Sequence, residues 1–100
     1  MKPSISTHVL DAAKGEPARG VRVELYRGTA LLSAQQTNDD GRVSDLVQGT
    51  LEPGTYRLVF HPPSPFFKKV ELEVVIHDAG RHYHIPLLVS PYACTIYRGS

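Results

Sequence analysis

A chain of 100 residues suits one domain with a single core and little apolar surface to spare. With 41% hydrophobic and 21% charged residues it is neither a disordered nor a membrane composition, and the balance of 11 basic against 10 acidic side chains leaves no electrostatic footprint for nucleic acid or an anionic bilayer. The lone cysteine, Cys94, rules out an intrachain disulfide and fits a reducing compartment; with no apolar segment at the start of the chain, the expected location is cytoplasmic.

Ile5 to Leu10 reads as a first strand, with Thr7 and Val9 on one face and His8 on the other. Asp11 to Gly20 is polar and punctuated by Gly15, Pro17 and Gly20, so a loop is expected. Val21 to Arg27 alternates cleanly: Val21, Val23 and Leu25 face in, Arg22 and Glu24 out. Leu31 to Thr37 forms the next strand, and Asn38-Asp39-Asp40-Gly41 is a strong turn, from which Arg42 emerges directly. Ser44 to Gln48 fits either a short strand or a loop. After the Pro53-Gly54 turn, Thr55 to Phe60 is a strand. His61 to Pro65 carries three prolines, which remove three backbone donors and exclude helix and central strand alike.

Phe66 to Ile76 reads as the longest strand, with Val70, Leu72, Val74 and Ile76 inward and Lys69, Glu71 and Glu73 outward. Beyond the Asp78-Ala79-Gly80 turn comes Arg81-His82-Tyr83-His84-Ile85-Pro86-Leu87-Leu88. In an extended chain Tyr83 and Ile85 can enter a core while His82 and His84 stand on the opposite face. Ser90-Pro91 breaks this strand, and Tyr92 to Arg98 makes the last. Seven or eight short strands with a turn about every ten residues predict an antiparallel two-sheet β-sandwich. Its unpaired edges predict a homo-oligomer.

Taken singly, a surface histidine, an arginine after Asp-Gly and a Gly-Ser terminus are ordinary. Taken together, Ser6-Thr7-His8-Val9-Leu10-Asp11, Gly20 to Tyr26, Thr37 to Arg42, His82 to Pro91 and Tyr97-Arg98-Gly99-Ser100 resemble the transthyretin-like proteins, in their 5-hydroxyisourate hydrolase branch. The resemblance runs nearly end to end, and the terminal Tyr-Arg-Gly-Ser is its most specific part. It implies a single-domain sandwich over residues 1–100, assembled as a homotetramer with sites in the channel between dimers. It implies hydrolysis of 5-hydroxyisourate to 2-oxo-4-hydroxy-4-carboxy-5-ureidoimidazoline, with no metal or cofactor. By the same resemblance His8, Arg42 and His84 are catalytic, while Tyr97, Arg98, Gly99, Ser100 and His82 bind substrate or support the site.

Two departures stand out. The family usually has a longer segment, often with a short helix, where this chain has only His61 to Pro65, so the helix is expected to be absent. Ala93-Cys94-Thr95-Ile96 stands where the family commonly has Gly, Tyr, Ser and Thr; Cys94 reads as a small packing residue.

The chemistry is consistent with ring opening. A neutral imidazole near its pKa can take a proton from attacking water. His84 is assigned that role, with His8 binding substrate or sharing the relay, and the reverse assignment stays open. Arg42 offers a planar fork of donors to a developing oxyanion. The competing readings are a transthyretin-like carrier without catalysis, a zinc hydrolase using His8, His82 and His84, and a plain adhesion sandwich.

Overall fold

Alternating apolar side chains give each strand one face that must be covered, and two sheets cover one another. The computed structural model describes residues 2–99; the predicted site residue Ser100 lies outside them. The strands are β1 (Ile5–Asp11), β2 (Glu16–Pro17), β3 (Arg22–Arg27), β4 (Ala30–Gln36), β5 (Arg42–Val43), β6 (Gly54–His61), β7 (Val70–Ile76), β8 (Tyr83–His84), β9 (Leu87–Ser90) and β10 (Ala93–Ile96). One sheet runs β4-β3-β6-β7, all antiparallel. The other runs β10-β9-β1-β2, with β5 and β8 also paired to β1. No helix occurs among the described residues, so none is long and apolar enough to cross a membrane.

The core lies between the sheets. Val23 and Leu25 of β3 and Tyr56, Leu58 and Phe60 of β6 meet Ile5 and Val9 of β1 and Leu87 and Val89 of β9, all essentially inaccessible. Burying each such side chain contributes roughly 1.5–3 kcal/mol. Tyr56 is tolerated there because its hydroxyl donates to the Glu52 carbonyl and accepts from the Glu52 amide.

The sandwich is the one expected, with differences in detail. β1 is parallel to β8 and β9, which makes its sheet mixed. The Asp11–Gly20 loop contains the two-residue β2, held against β1. Ser44 to Gln48 is a loop, tied down where Asp45 accepts from Ser4 Oγ and from the Gln48 amide. The strand expected from Phe66 begins only at Val70, because the amides of Phe66 and Phe67 turn back onto Ser64 Oγ after the prolines. Pro86 splits the histidine strand in two, since it has no amide to give the ladder. β10 ends at Ile96, short of the expected Arg98. The segment between β6 and β7 has no helical turn, as its prolines predict.

Candidate active site

β1 gathers residues from three distant parts of the chain. Ile5, Thr7 and Val9 point into the core, and Thr7 Oγ1 donates to the Ile85 carbonyl at 2.6 Å. Ser6 and His8 therefore stand on the other face. On one flank β5 sets Arg42 opposite His8; on the other, β8 sets His84 opposite Ser6. Residues opposite one another in a sheet present their side chains to the same face. His8, Arg42, His84 and Ser6 thus share one surface, though His8 and His84 are 76 positions apart in sequence.

Local chemistry fixes each flank. Asn38 Oδ1 accepts from the amides of Asp40 and Arg42, and the Gly41 amide donates to the Asn38 carbonyl at 2.9 Å. Gly41 has φ 75°, and a Cβ there would lie 2.5 Å from the Val9 carbonyl oxygen. Only glycine lets the turn press this closely on β1, and the Val9 amide donates to the Gly41 carbonyl at 2.7 Å. Arg42 leaves the turn in register with His8 for that reason. On the other flank, the amides of Tyr83 and Ile85 donate to the carbonyls of Ser4 and Ser6. Tyr83 and Ile85 are buried, and the Tyr83 hydroxyl donates to the Asp78 carbonyl at 2.7 Å. With these two side chains held inward, strand alternation turns His82 and His84 out.

The histidines are linked through serine. His82 Nδ1 accepts from the Ser4 amide at 3.2 Å, and its Nε2 lies 2.8 Å from Ser6 Oγ. The same Ser6 Oγ lies 2.8 Å from His84 Nδ1. Burial first, and then the positive charge of Arg42 and the neighbouring His8 and His82, hold the His84 imidazole below its ordinary pKa of 6.5. Near neutral pH this ring is therefore uncharged. His8 Nε2 is buried with no hydrogen-bond partner, the one such side-chain atom among the described residues. The Gly99 amide donates to the His84 carbonyl at 2.7 Å, and a Cβ on Gly99 would sit 2.8 Å from His84 Cδ2. Gly99 is thus packed closely against the imidazole.

A cleft of about 190 Å³ opens on this face, lined by Ser6, Thr7, Arg42, Val43, Ser44 and His82. A larger groove of about 250 Å³ runs between β7 and the chain end, and Leu72, Val74, Ile76, Tyr83 and Ile96 make it mainly apolar. Tyr97 and Arg98 line that groove, where the Arg98 guanidinium lies 4.6 Å from the centre of the Tyr83 ring. Within one chain, then, His8, Arg42, His82, His84 and Gly99 come together while the side chains of Tyr97 and Arg98 lie elsewhere. The smaller cleft marks the candidate site because Arg42, His82 and Ser6 line it, on the face that His8 and His84 share. Among the described residues no three His, Cys, Asp or Glu side chains are gathered closely enough to hold a metal ion. Both ring nitrogens of His82 are already engaged by Ser4 and Ser6. Ser6 is the residue that sequence reasoning passed over. Its parity with His8 was visible, but its place beside His84 follows from the parallel pairing of β1 with β8.

Residues 5–99 match the model of the HIUase/Transthyretin family. The 5-hydroxyisourate hydrolase 2 of Rhizobium meliloti is 45% identical over 114 aligned positions, covering 96% of this chain and 95% of that protein. The 5-hydroxyisourate hydrolase of Deinococcus radiodurans is 39% identical, covering 98% and 97%. Among solved structures, the 5-hydroxyisourate hydrolase of Klebsiella pneumoniae superposes with a TM-score of 0.88 at 33% identity, over 97% of this chain and 99% of that one. Sea bream transthyretin in complex with thyroxine gives 0.83 at 26% identity, over 95% and 93%.

Proposed function

The chain belongs to the HIUase/Transthyretin family, and on that footing we propose that it is an enzyme, a 5-hydroxyisourate hydrolase acting in urate degradation. Relatives carrying that name match it over nearly their whole length. The observation that carries the mechanism is the strand register that sets Arg42 opposite His8 and His84 opposite Ser6 on one face. Water attacks a ring carbonyl of the substrate. One imidazole of the His8/His84 pair takes the water's proton while the other hydrogen-bonds the substrate. The carbonyl oxygen becomes an oxyanion, and the Arg42 guanidinium stabilises it. Collapse breaks the ring C–N bond; the leaving nitrogen receives a proton, and 2-oxo-4-hydroxy-4-carboxy-5-ureidoimidazoline is released. His82 and Gly99 hold His84 in place; the family resemblance assigns Ser100 to the substrate site, while Tyr97 and Arg98, whose side chains lie in the other groove, support it by carrying Gly99 to the ring.

The working assembly in this reading is a homotetramer, a dimer of dimers with the histidine faces lining a channel. The unpaired edges of β7 and β10 and the exposure of Val75 and Tyr97 along them support association. A half-buried, unpaired Cys94 suits a reducing cytoplasm. A non-catalytic carrier needs no pairing of guanidinium and imidazoles on its binding face, which favours the hydrolase.

The test is the absorbance decay of freshly made 5-hydroxyisourate against its uncatalysed decay. Catalysis is expected in the parent. His8→Asn and a copy lacking Tyr97 to Ser100 are each expected to lose about a hundredfold or more. A parent rate equal to the buffer rate refutes the reading. Light scattering at assay concentration that returned a monomer would remove the tetramer.

A further inference from the structure

The contacts around Ser6 fix more than position; they fix where the ring protons sit. A backbone amide can only donate, so the Ser4 amide facing His82 Nδ1 at 3.2 Å requires that nitrogen to be unprotonated. Neutral His82 then carries its hydrogen on Nε2 and gives it to Ser6 Oγ, 2.8 Å away. Ser6 is only 8% exposed, and its own hydroxyl hydrogen still needs an acceptor. His84 Nδ1, 2.8 Å away, supplies it. Each contact in the series now holds one hydrogen, and the series has one direction: Ser4 amide to His82, His82 to Ser6, Ser6 to His84. The opposite arrangement, with His84 Nδ1 donating to Ser6, gives the serine oxygen two incoming hydrogens and leaves its own proton stranded.

We propose that Ser6 is a positioning residue that divides the labour of the two histidines: it holds His84 as a neutral donor through Nε2–H, and His8 is the base. This rests on the hydrolase reading and deepens it. An imidazole that accepts at Nδ1 has its proton on Nε2 and offers no lone pair there to attacking water. It can instead hydrogen-bond the carbonyl oxygen and, with Arg42, hold the oxyanion. The burial of the ring and then the nearby positive charge of Arg42 keep His84 uncharged. The base must then be His8, whose buried Nε2 has no partner among the described residues. Buried ring nitrogens are ordinarily satisfied, and this one keeps its hydrogen-bonding capacity unspent. In the reaction His8 Nε2 takes a proton as the water oxygen bonds to the carbonyl carbon. When the ring C–N bond breaks, the imidazolium returns that proton to the leaving nitrogen. No net proton passes through Ser6 or His82.

The decisive measurement is ring-nitrogen NMR on the full protein labelled with 15N-histidine at neutral pH, assigned with single His→Gln variants. His82 and His84 are expected to carry their protons on Nε2, and His8 on Nδ1. A proton on Nδ1 of His84 overturns the proposal. In parallel, Ser6→Ala is expected to lower kcat about 10- to 100-fold with KM changed less than about threefold, and to shift the His84 signals toward a mixture of tautomers. Ser6→Thr, which keeps the hydroxyl, is expected to restore both. A Ser6→Ala protein with kcat within about twofold of the parent also overturns it. Should Ser6→Ala not fold, the parent and Ser6→Thr spectra still decide. A parent with the expected tautomers but no turnover of 5-hydroxyisourate sinks the hydrolase reading and leaves the proton arrangement standing.

Discussion

Gly99→Ala tests whether Gly99 aims the His84 ring. The φ of Gly99 lies outside the left-handed region, so alanine fits its backbone and the perturbation is confined to one methyl group. That methyl would lie 2.8 Å from His84 Cδ2 and 3.4 Å from Cγ, against an ordinary contact of 3.4–4 Å. The ring or the strand end must give by about half an ångström or more, since close-packed atoms do not overlap. If the ring moves, the 2.8 Å contact with Ser6 Oγ lengthens; if the strand end moves, the 2.7 Å bond from the Gly99 amide to the His84 carbonyl weakens. A misplacement near 1 Å costs about a hundredfold in rate, so kcat/KM is expected to fall about 10- to 100-fold. The stability cost should stay at about 1 kcal/mol, the low end for overpacking, because Gly99 is only half-buried and lies outside the strands. The assay is the initial decay of fresh 5-hydroxyisourate, with thermal unfolding run alongside. A Gly99→Ala protein with kcat/KM within about twofold of the parent and an unchanged melting curve would show that this contact does not aim the ring.

Three further outcomes are expected. Arg42→Gln should lower kcat/KM about 10²–10³-fold by removing the proposed oxyanion donor, and should move the His84 titration up toward 6.5 because a positive neighbour is gone; a loss below about fivefold would refute the role. His84 has a folded pKa below its unfolded value of 6.5, set by burial, Arg42 of β5, His8 of β1 and the adjacent His82, so the unfolded state binds the extra proton. This contribution to stability is fully present above 6.5 and is lost as pH falls through the folded value; melting temperatures at about pH 7.5 and about pH 5 should therefore differ more for the parent than for His84→Gln. Leu58→Ala, at a side chain with no exposure, should cost about 2–5 kcal/mol and lower Tm by roughly 10 °C or more at fixed protein concentration; a shift of only about 2 °C would contradict the core described here.

Exposed Phe66 and Tyr92 and half-buried Phe67 form an aromatic group beside the proline bridge. Phe66 stacks edge-on against both of the others, with ring centres 5.1 and 5.9 Å apart. The prolines that make this bridge rigid also keep Phe66 to Lys69 out of the ladder, and so β7 starts later than its hydrophobic pattern suggests.

The sequence by itself determined what is local. The pleat of an extended chain makes side-chain direction a matter of parity, so the inward Tyr83 and Ile85 and the outward His82 and His84 could be read without coordinates. The Asn38–Gly41 turn and the proline block were legible because amide loss and positive φ are properties of single residues. Strand ends were less so: Ser64 capturing the Phe66 and Phe67 amides, and Pro86 interrupting its strand, depend on which neighbour each amide could have reached. Tertiary structure alone decided that β1 lies parallel to β8 and antiparallel to β5, and that Ser6 consequently touches both His82 and His84. Strand pairing is set by the free energy of the whole buried core, to which residues far apart in the chain contribute together, and no local pattern carries that information.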